Sequence, residues 1–212
     1  MSILEKRHIA PGCLLGTWQI TENYQDLMDS VTLEADEIER LEHFRSHNRK
    51  LEYLSVRILL KELIGKNNKI IYDQTNKPFL RGNQHQISIS HSHKLTSILV
   101  SKTKRVGIDI EYMSHRIRHI RDKFIHPDEV ITEDPELLKY HLYIHWCAKE
   151  ALYKICDKDQ LNFKENIFIE PFMIADKGLL KGMVHKNSLQ QEFDLMYYKW
   201  QNYILVMCCK DF

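Results

Sequence analysis

Three stretches carry side chains suited to phosphate and metal chemistry. Val106-Gly107-Ile108-Asp109-Ile110-Glu111 alternates apolar and acidic residues. On an extended strand, residues two apart share a face. Asp109 and Glu111 therefore project together, while Ile108 and Ile110 turn to the core. Two adjacent carboxylates repel each other unless a cation or water lies between them, though an isolated Asp-x-Glu pair is usually a plain solvated strand face. Trp146-Cys147-Ala148-Lys149-Glu150-Ala151-Leu152-Tyr153-Lys154 reads as helix. Glu150 and Lys154, four apart, share a helix face there, as an ordinary exposed ion pair would. Taken together, Glu150 adds a third carboxylate to Asp109 and Glu111. Three hard oxygen ligands suit magnesium, which completes its shell with water and substrate phosphate. Lysines beside such a site neutralise phosphate charge. The third stretch, Ile87-Ser88-Ile89-Ser90-His91-Ser92-His93, places hydroxyls and imidazoles at a strand-turn junction where they are able to donate to phosphate. A polar hairpin turn is its bland reading, and a metal pair at His91 and His93 lacks a further ligand at fitting spacing. A helix with Arg49, Lys50 and Arg57 offers a phosphate-binding edge; taken singly, it reads better as a solvated face.

These residues need elements to position them. Cys13 to Ile20 reads as a strand and Leu33 to Phe44 as a helix. Arg49 to Ile64 is a stronger helix, with Leu51, Leu54, Ile58 and Leu59 at helical period and Gly65 as a stop. Asn76-Lys77-Pro78 is a turn. Ile87 to Ser90, Leu95 to Ser101 and Val106 to Tyr112 read as strands, and Leu137 to Ile155 as a long helix. The tail reads as an antiparallel set: Ile167 to Ile174, Leu179 to His185, Glu192 to Trp200 and Tyr203 to Cys209. Strands interleaved with long helices indicate an α+β fold.

The 212 residues, 43% of them hydrophobic, supply a real core, in one large domain or two small fused ones. A net charge of +1 gives no global field that marks a nucleic-acid binder. The opening residues lack the apolar stretch of a signal peptide. The longest apolar run, Tyr203 to Cys209, is too short to span a bilayer. The expectation is a soluble, cytoplasmic protein. Five cysteines without a Cys-x-x-Cys pair read as reduced core thiols.

An internal echo is present. Leu15-Gly16-Thr17-Trp18-Gln19-Ile20 resembles Val106-Gly107-Ile108-Asp109-Ile110-Glu111, and a long helix follows each. Gly16 lies 41 positions before Arg57, and Gly107 lies 42 before Lys149. The expectation is two similar halves, 1–103 and 104–212, with a site in the groove between them.

With these motifs in order, the chain resembles the phosphopantetheinyl transferase superfamily. The family pattern is a Gly-Ile/Val-Asp segment followed by Trp-x-x-Lys-Glu-Ala-x-x-x-Lys, matched here from Gly107 to Asp109 and from Trp146 to Lys154. Lys77-Pro78 and Ser88-Ile89-Ser90-His91-Ser92 match upstream, and Arg49 to Arg57 resembles the helix of the enterobactin-pathway members. Length and echo resemble the long, surfactin-synthetase-activating subtype, whose members look like two fused short-type copies. The resemblance implies a monomeric pseudo-dimer that moves 4′-phosphopantetheine from coenzyme A to a serine of an apo carrier protein, releasing 3′,5′-ADP. It implies that Asp109, Glu111 and Glu150 hold Mg2+ and that Glu150 also deprotonates the serine. Lys154, with Lys149, contacts phosphate; Ser90 and His91 contact the coenzyme A phosphates. Lys77 and either Arg49 or Lys50 reach the 3′-phosphate and adenine region.

Two other functions compete. Another magnesium-dependent phosphoryl or nucleotidyl enzyme would share the carboxylates, but no Gly-rich P-loop is present. A non-catalytic carrier-binding module need not keep Asp109, Glu111, Glu150 and Lys154. Between the acidic strand and the long helix, Ile117, Ile120 and Phe124 fall on one helical face with basic residues around them. That segment reads either as a surface helix with its stripe in the core or as a docking edge for an acidic carrier.

Overall fold

The computed structural model describes residues 2–65, 68–82, 85–156, 161–186 and 189–212. The first part of the chain runs β1 (Ile3–Ala10), β2 (Cys13–Gln19), α1 (Tyr24–Asp29), α2 (Ala35–His43), α3 (His47–Ile64), β3 (Ile70–Tyr72), β4 (Pro78–Leu80), β5 (Gln86–Ser92) and β6 (Leu95–Ser101). The second part runs β7 (Lys104–Tyr112), α4 (Ile117–Phe124), α5 (Pro135–Ile155), α6 (Phe163–Asn166), β8 (Ile167–Ile169), β9 (Lys177–Lys186), β10 (Leu189–Trp200) and β11 (Tyr203–Asp211). The strands form a sheet ordered β1-β2-β6-β5, a second ordered β7-β11-β10-β9-β8, and the small β3-β4 pair. This is the mixed α and β architecture expected.

Each large sheet carries a long helix, and a glycine permits the approach in both cases. A Cβ on Gly16 would lie 2.7 Å from Leu63 of α3, and one on Gly107 would lie 2.2 Å from the Ala151 carbonyl oxygen of α5. The helices are well terminated. Ser46 accepts from the Arg49 N–H, and Gly65 takes the left-handed conformation at the end of α3. Asp134 caps α5, with Pro135 in its first turn.

The two sheets share a core in which Leu15 and Leu99 of the first cluster with Ile108 and Leu205 of the second. They also meet edge to edge. Ser88, Ser90 and Ser92 alternate along β5, and their hydroxyls accept the backbone N–H groups of Ile108 (3.1 Å), Ile110 (3.2 Å) and Tyr112 (3.0 Å) on β7. Side-chain oxygens thus replace the carbonyls of a normal ladder and satisfy that edge of β7.

Several details differ from the sequence reading. The strand expected over Ile167 to Ile174 stops at Ile169, where Glu170 and Pro171 follow. The edge strand β1 was not anticipated. The stripe of α4 lies in the core, since Ile117 and Phe124 are buried and Ile120 packs against them. No apolar anchor is left on that helix for a partner, although Arg116, Arg118 and Arg121 remain exposed. None of the five cysteines is in a disulfide. Among the described residues, no helix is long and apolar enough to cross a membrane.

Candidate active site

Strand alternation sends Ile108 and Ile110 into the core between the sheets and leaves Asp109 and Glu111 on the face that packs α5. Ser90 donates to Asp109 Oδ1 at 2.7 Å, and Ser92 donates to Glu111 Oε2 at 2.9 Å. From α5, Lys154 Nζ donates to the same Asp109 Oδ1 at 2.7 Å and to the Ile108 carbonyl at 2.9 Å. Glu150, one helical turn before Lys154, lies close enough for its charge to act on Glu111. Burial, then the neighbouring charge of Asp109, push the Glu111 carboxyl up to about 7, against the pull of Ser92 and Lys154. Three acids and one lysine therefore converge between β7 and α5.

The donor chemistry here, carboxylate oxygens alone, is of the kind a hard divalent cation takes. Asp109 Oδ2 is buried without a hydrogen-bond partner, and burial, with the Asp109 charge second, raises the neighbouring Glu111 carboxyl. Among the described residues, no group of three or more His, Cys, Asp or Glu side chains is placed to hold a metal ion by itself. Magnesium is commonly held by one or two carboxylates plus phosphates and water, so carboxylates without a closed cage are compatible with it.

A cleft adjoins this centre. Lys154 lines it, together with Arg49 and Arg57 from α3, Lys77 from the turn before β4, and His91 from β5. Arg49 contacts His91 Nε2 and pairs with Glu52 at 3.0 Å. His91 Nδ1 lies 3.1 Å from the same Glu52 oxygen. Burial pushes the Glu52 carboxyl up, but His91 and Arg49 together hold it below the usual carboxylate range. This carboxylate fixes Arg49 and His91 where they line the cleft.

The structure gathers Asp109, Glu111, Glu150, Lys154 and Ser90 in one place, with Arg49, Lys77 and His91 along the adjoining cleft. Lys149 is a correction. It is fully buried on another face of α5, where it pairs with Glu129 at 2.9 Å and donates to the carbonyls of Ile167 (2.6 Å) and Phe163 (3.0 Å). All three ammonium protons are used there, so a phosphate contact is not open to it. Lys50 does not line the cleft, whereas Arg49 does. Ser90 spends its proton on Asp109, which makes it a positioning residue for that carboxylate in this arrangement.

Sequence reading missed Glu52 and the environment of Arg57, and named Ser92 only within the phosphate-donating stretch. Arg57 is buried, not solvated. Its Nε donates to Glu37 at 2.9 Å and its guanidinium stacks 3.3 Å from the Tyr53 ring centroid, while Nη2 is buried without a partner. Glu52 was discoverable: on α3 it stands three residues after Arg49.

Comparison with known proteins bears on this centre. Residues 105–208 match the model of the 4′-phosphopantetheinyl transferase superfamily. The stretch includes Asp109, Glu111, Glu150 and Lys154. The chain is also similar to the 4′-phosphopantetheinyl transferase HetI of Nostoc sp., with 26% identity over 146 residues. That match spans 61% of this chain and 61% of the length of the curated relative.

Proposed function

We propose, from the match of residues 105–208 to the model of the 4′-phosphopantetheinyl transferase superfamily, that this protein moves the 4′-phosphopantetheine arm of coenzyme A onto a serine of an apo carrier protein and releases 3′,5′-ADP. The observation that carries the reading is the convergence of Asp109, Glu111, Glu150 and Lys154 beside a cleft edged by Arg49, Arg57, Lys77 and His91. A dianionic pyrophosphate with a 3′-phosphate needs both parts.

In this reading, Arg49, Lys77 and His91 bind the 3′-phosphate and adenine end of coenzyme A along the cleft. The pyrophosphate lies toward Lys154. Asp109, Glu111 and Glu150 would hold Mg2+ against it, with Ser90 and Ser92 fixing two of those carboxylates. The metal, when bound, neutralises charge on the phosphate oxygens as the transition state forms. Glu150 takes the proton of the carrier serine, directly or through water, as its oxygen attacks the β-phosphorus. The bond to the leaving 3′,5′-ADP then breaks, and Lys154 stabilises the charge left on it. These contacts strengthen in the transition state, which is what accelerates the step.

The chain length, the two similar sheet-and-helix units and the matched glycines, Gly16 and Gly107, support the long, surfactin-synthetase-activating subtype as a monomeric pseudo-dimer. Five unpaired cysteines suit a reducing compartment such as the cytoplasm. The test is to incubate the protein with coenzyme A, Mg2+ and apo carriers of the fatty-acid, polyketide and peptide-synthetase types, then weigh each carrier. At least one should gain a phosphopantetheine with equal release of 3′,5′-ADP, and Asp109→Ala should abolish the gain. Transfer to none of them, or undiminished transfer by the variant, overturns the proposal.

A further inference from the structure

A second cavity, of about 140 Å³, lies on the opposite side of β7 from Asp109 and Glu111. Leu95, Ile110 and Leu205 contribute aliphatic lining, and Tyr198, Trp200 and Tyr203 contribute aromatic rings. Trp200 and Tyr203 stand with ring centroids 5.9 Å apart. One acid, Glu5 of β1, enters this otherwise apolar surround, beside its cross-strand partner Thr17 of β2.

Glu5 is held in place before any ligand arrives. Thr17 donates to Glu5 Oε1 at 3.0 Å, and the Tyr198 hydroxyl donates to the same oxygen. Glu5 Oε2 pairs with Arg7 Nε at 2.9 Å, and the Arg7 guanidinium stands 5.3 Å from the Tyr198 ring centroid. The fold's own cation therefore already uses the recognition elements here, a carboxylate and the face of an aromatic ring. Arg7 is nevertheless a loose occupant. Its side chain is 48% exposed, and ion pairs of that kind contribute little. Arg7 does not itself line the cavity.

We infer that this cavity is a binding site for a compact organic cation: a ring-sized apolar body bearing one amidinium, guanidinium or ammonium group. The charged group displaces Arg7 from Glu5 Oε2 and lies against Tyr198. The apolar body fills the space lined by Leu95, Ile110 and Leu205. The size is suitable, because an apolar cavity of about 150 Å³ accepts a benzene ring. A neutral ring lacks the charge-assisted hydrogen bond, and an anion meets a fixed carboxylate. The site is separate from the cleft, since it faces the other side of β7.

The test uses three probes of one shape on the full chain: benzamidine, benzyl alcohol and benzoate, followed by calorimetry and by nuclear Overhauser contacts to the protein. Benzamidine should bind with contacts to Tyr198 and Trp200, and saturating coenzyme A should not displace it. Benzyl alcohol should bind at least about tenfold more weakly, and benzoate should not bind. Glu5→Gln, which keeps the shape, should weaken benzamidine about tenfold while leaving benzyl alcohol unchanged. Thr17→Val, which frees the carboxylate to move, should weaken it less, and serves if the first variant folds poorly. Equal binding of benzoate, unaltered affinity in both variants, displacement by coenzyme A, or no benzamidine binding overturns the inference.

Discussion

Replacing Gly107 by alanine tests how closely α5 must approach β7 for the acids to meet. The added Cβ would lie 2.2 Å from the Ala151 carbonyl oxygen, 3.1 Å from the Ala151 carbonyl carbon and 3.0 Å from Ile155 Cβ. The nearest obstacle is helix backbone, which has no rotamer to change. Relief requires α5 to move off the strand by about 1 Å, and overpacking of this kind costs about 1–3 kcal/mol. Gly16→Ala is the matched control. Its Cβ meets only the ends of leucine side chains, Leu63 Cδ2 at 2.7 Å and Leu59 Cδ1 at 3.0 Å, which are able to turn aside. The smaller entropy of unfolded alanine offsets part of either cost, by about 0.4–1 kcal/mol. Urea unfolding should therefore place Gly107→Ala near the top of the overpacking range and Gly16→Ala at or below about 1 kcal/mol. The shift in Gly107→Ala also moves Glu150 and Lys154 away from Asp109, so phosphopantetheine transfer should fall even where the variant is fully folded. Equal destabilisation by the two alanines, or full transfer by Gly107→Ala, would refute the reasoning.

Glu111→Gln should stabilise the metal-free protein at pH 8. The folded-state pKa of Glu111 is raised from 4.5 to about 7, so the folded state retains the proton longer and loses stability as pH rises through that window. Burial holds His141 down at about 4, and its contribution runs the other way, with stability falling as pH drops below 6.5. The slope of wild type minus Glu111→Gln in chemical unfolding isolates the first effect; an unchanged slope counts against a strained acid. Lys149→Met should destabilise by about 3–5 kcal/mol by stranding Glu129, and adding Glu129→Gln should restore part of the loss. Coenzyme A affinity of the double variant should match wild type, and a large loss in calorimetry would return Lys149 to the site. Reversing Arg116, Arg118 and Arg121 to glutamate should slow modification of an acidic carrier and flatten its salt dependence while leaving coenzyme A binding intact. Normal modification of every carrier by the triple variant would remove α4 from the docking surface.

The sequence disclosed what short-range periodicity controls. The Asp109/Glu111 alternation, the face shared by Glu150 and Lys154, and the long helices all follow from spacing within one element. It also contained the warning about Lys149: neighbours on a helix are about 100° apart, so Lys149 and Glu150 do not share a face. Lys149 instead falls in line with His145 and the interior. What was not legible depended on elements distant in the chain. The Ile-Ser-Ile-Ser alternation is visible in β5, but nothing local says that those hydroxyls cap the N–H groups of β7. Arg57 appeared solvated because Glu37, its partner, belongs to another helix. The stripe of α4 was compatible with core and with partner until α5 was seen packed against it.

The claim on which the account rests is that Asp109, Glu111 and Glu150 bind a divalent metal jointly with the coenzyme A pyrophosphate. Mn2+ binding, followed by electron paramagnetic resonance with and without coenzyme A, tests it directly in a single-site titration. Because no complete cage is formed by the described side chains alone, Mn2+ should bind weakly to the free protein and markedly more tightly once coenzyme A is present. Mg2+ should displace it, and Asp109→Ala should abolish the enhancement while coenzyme A still binds. Mn2+ affinity that is indifferent to coenzyme A, or an enhancement that survives removal of all three carboxylates, would contradict the account.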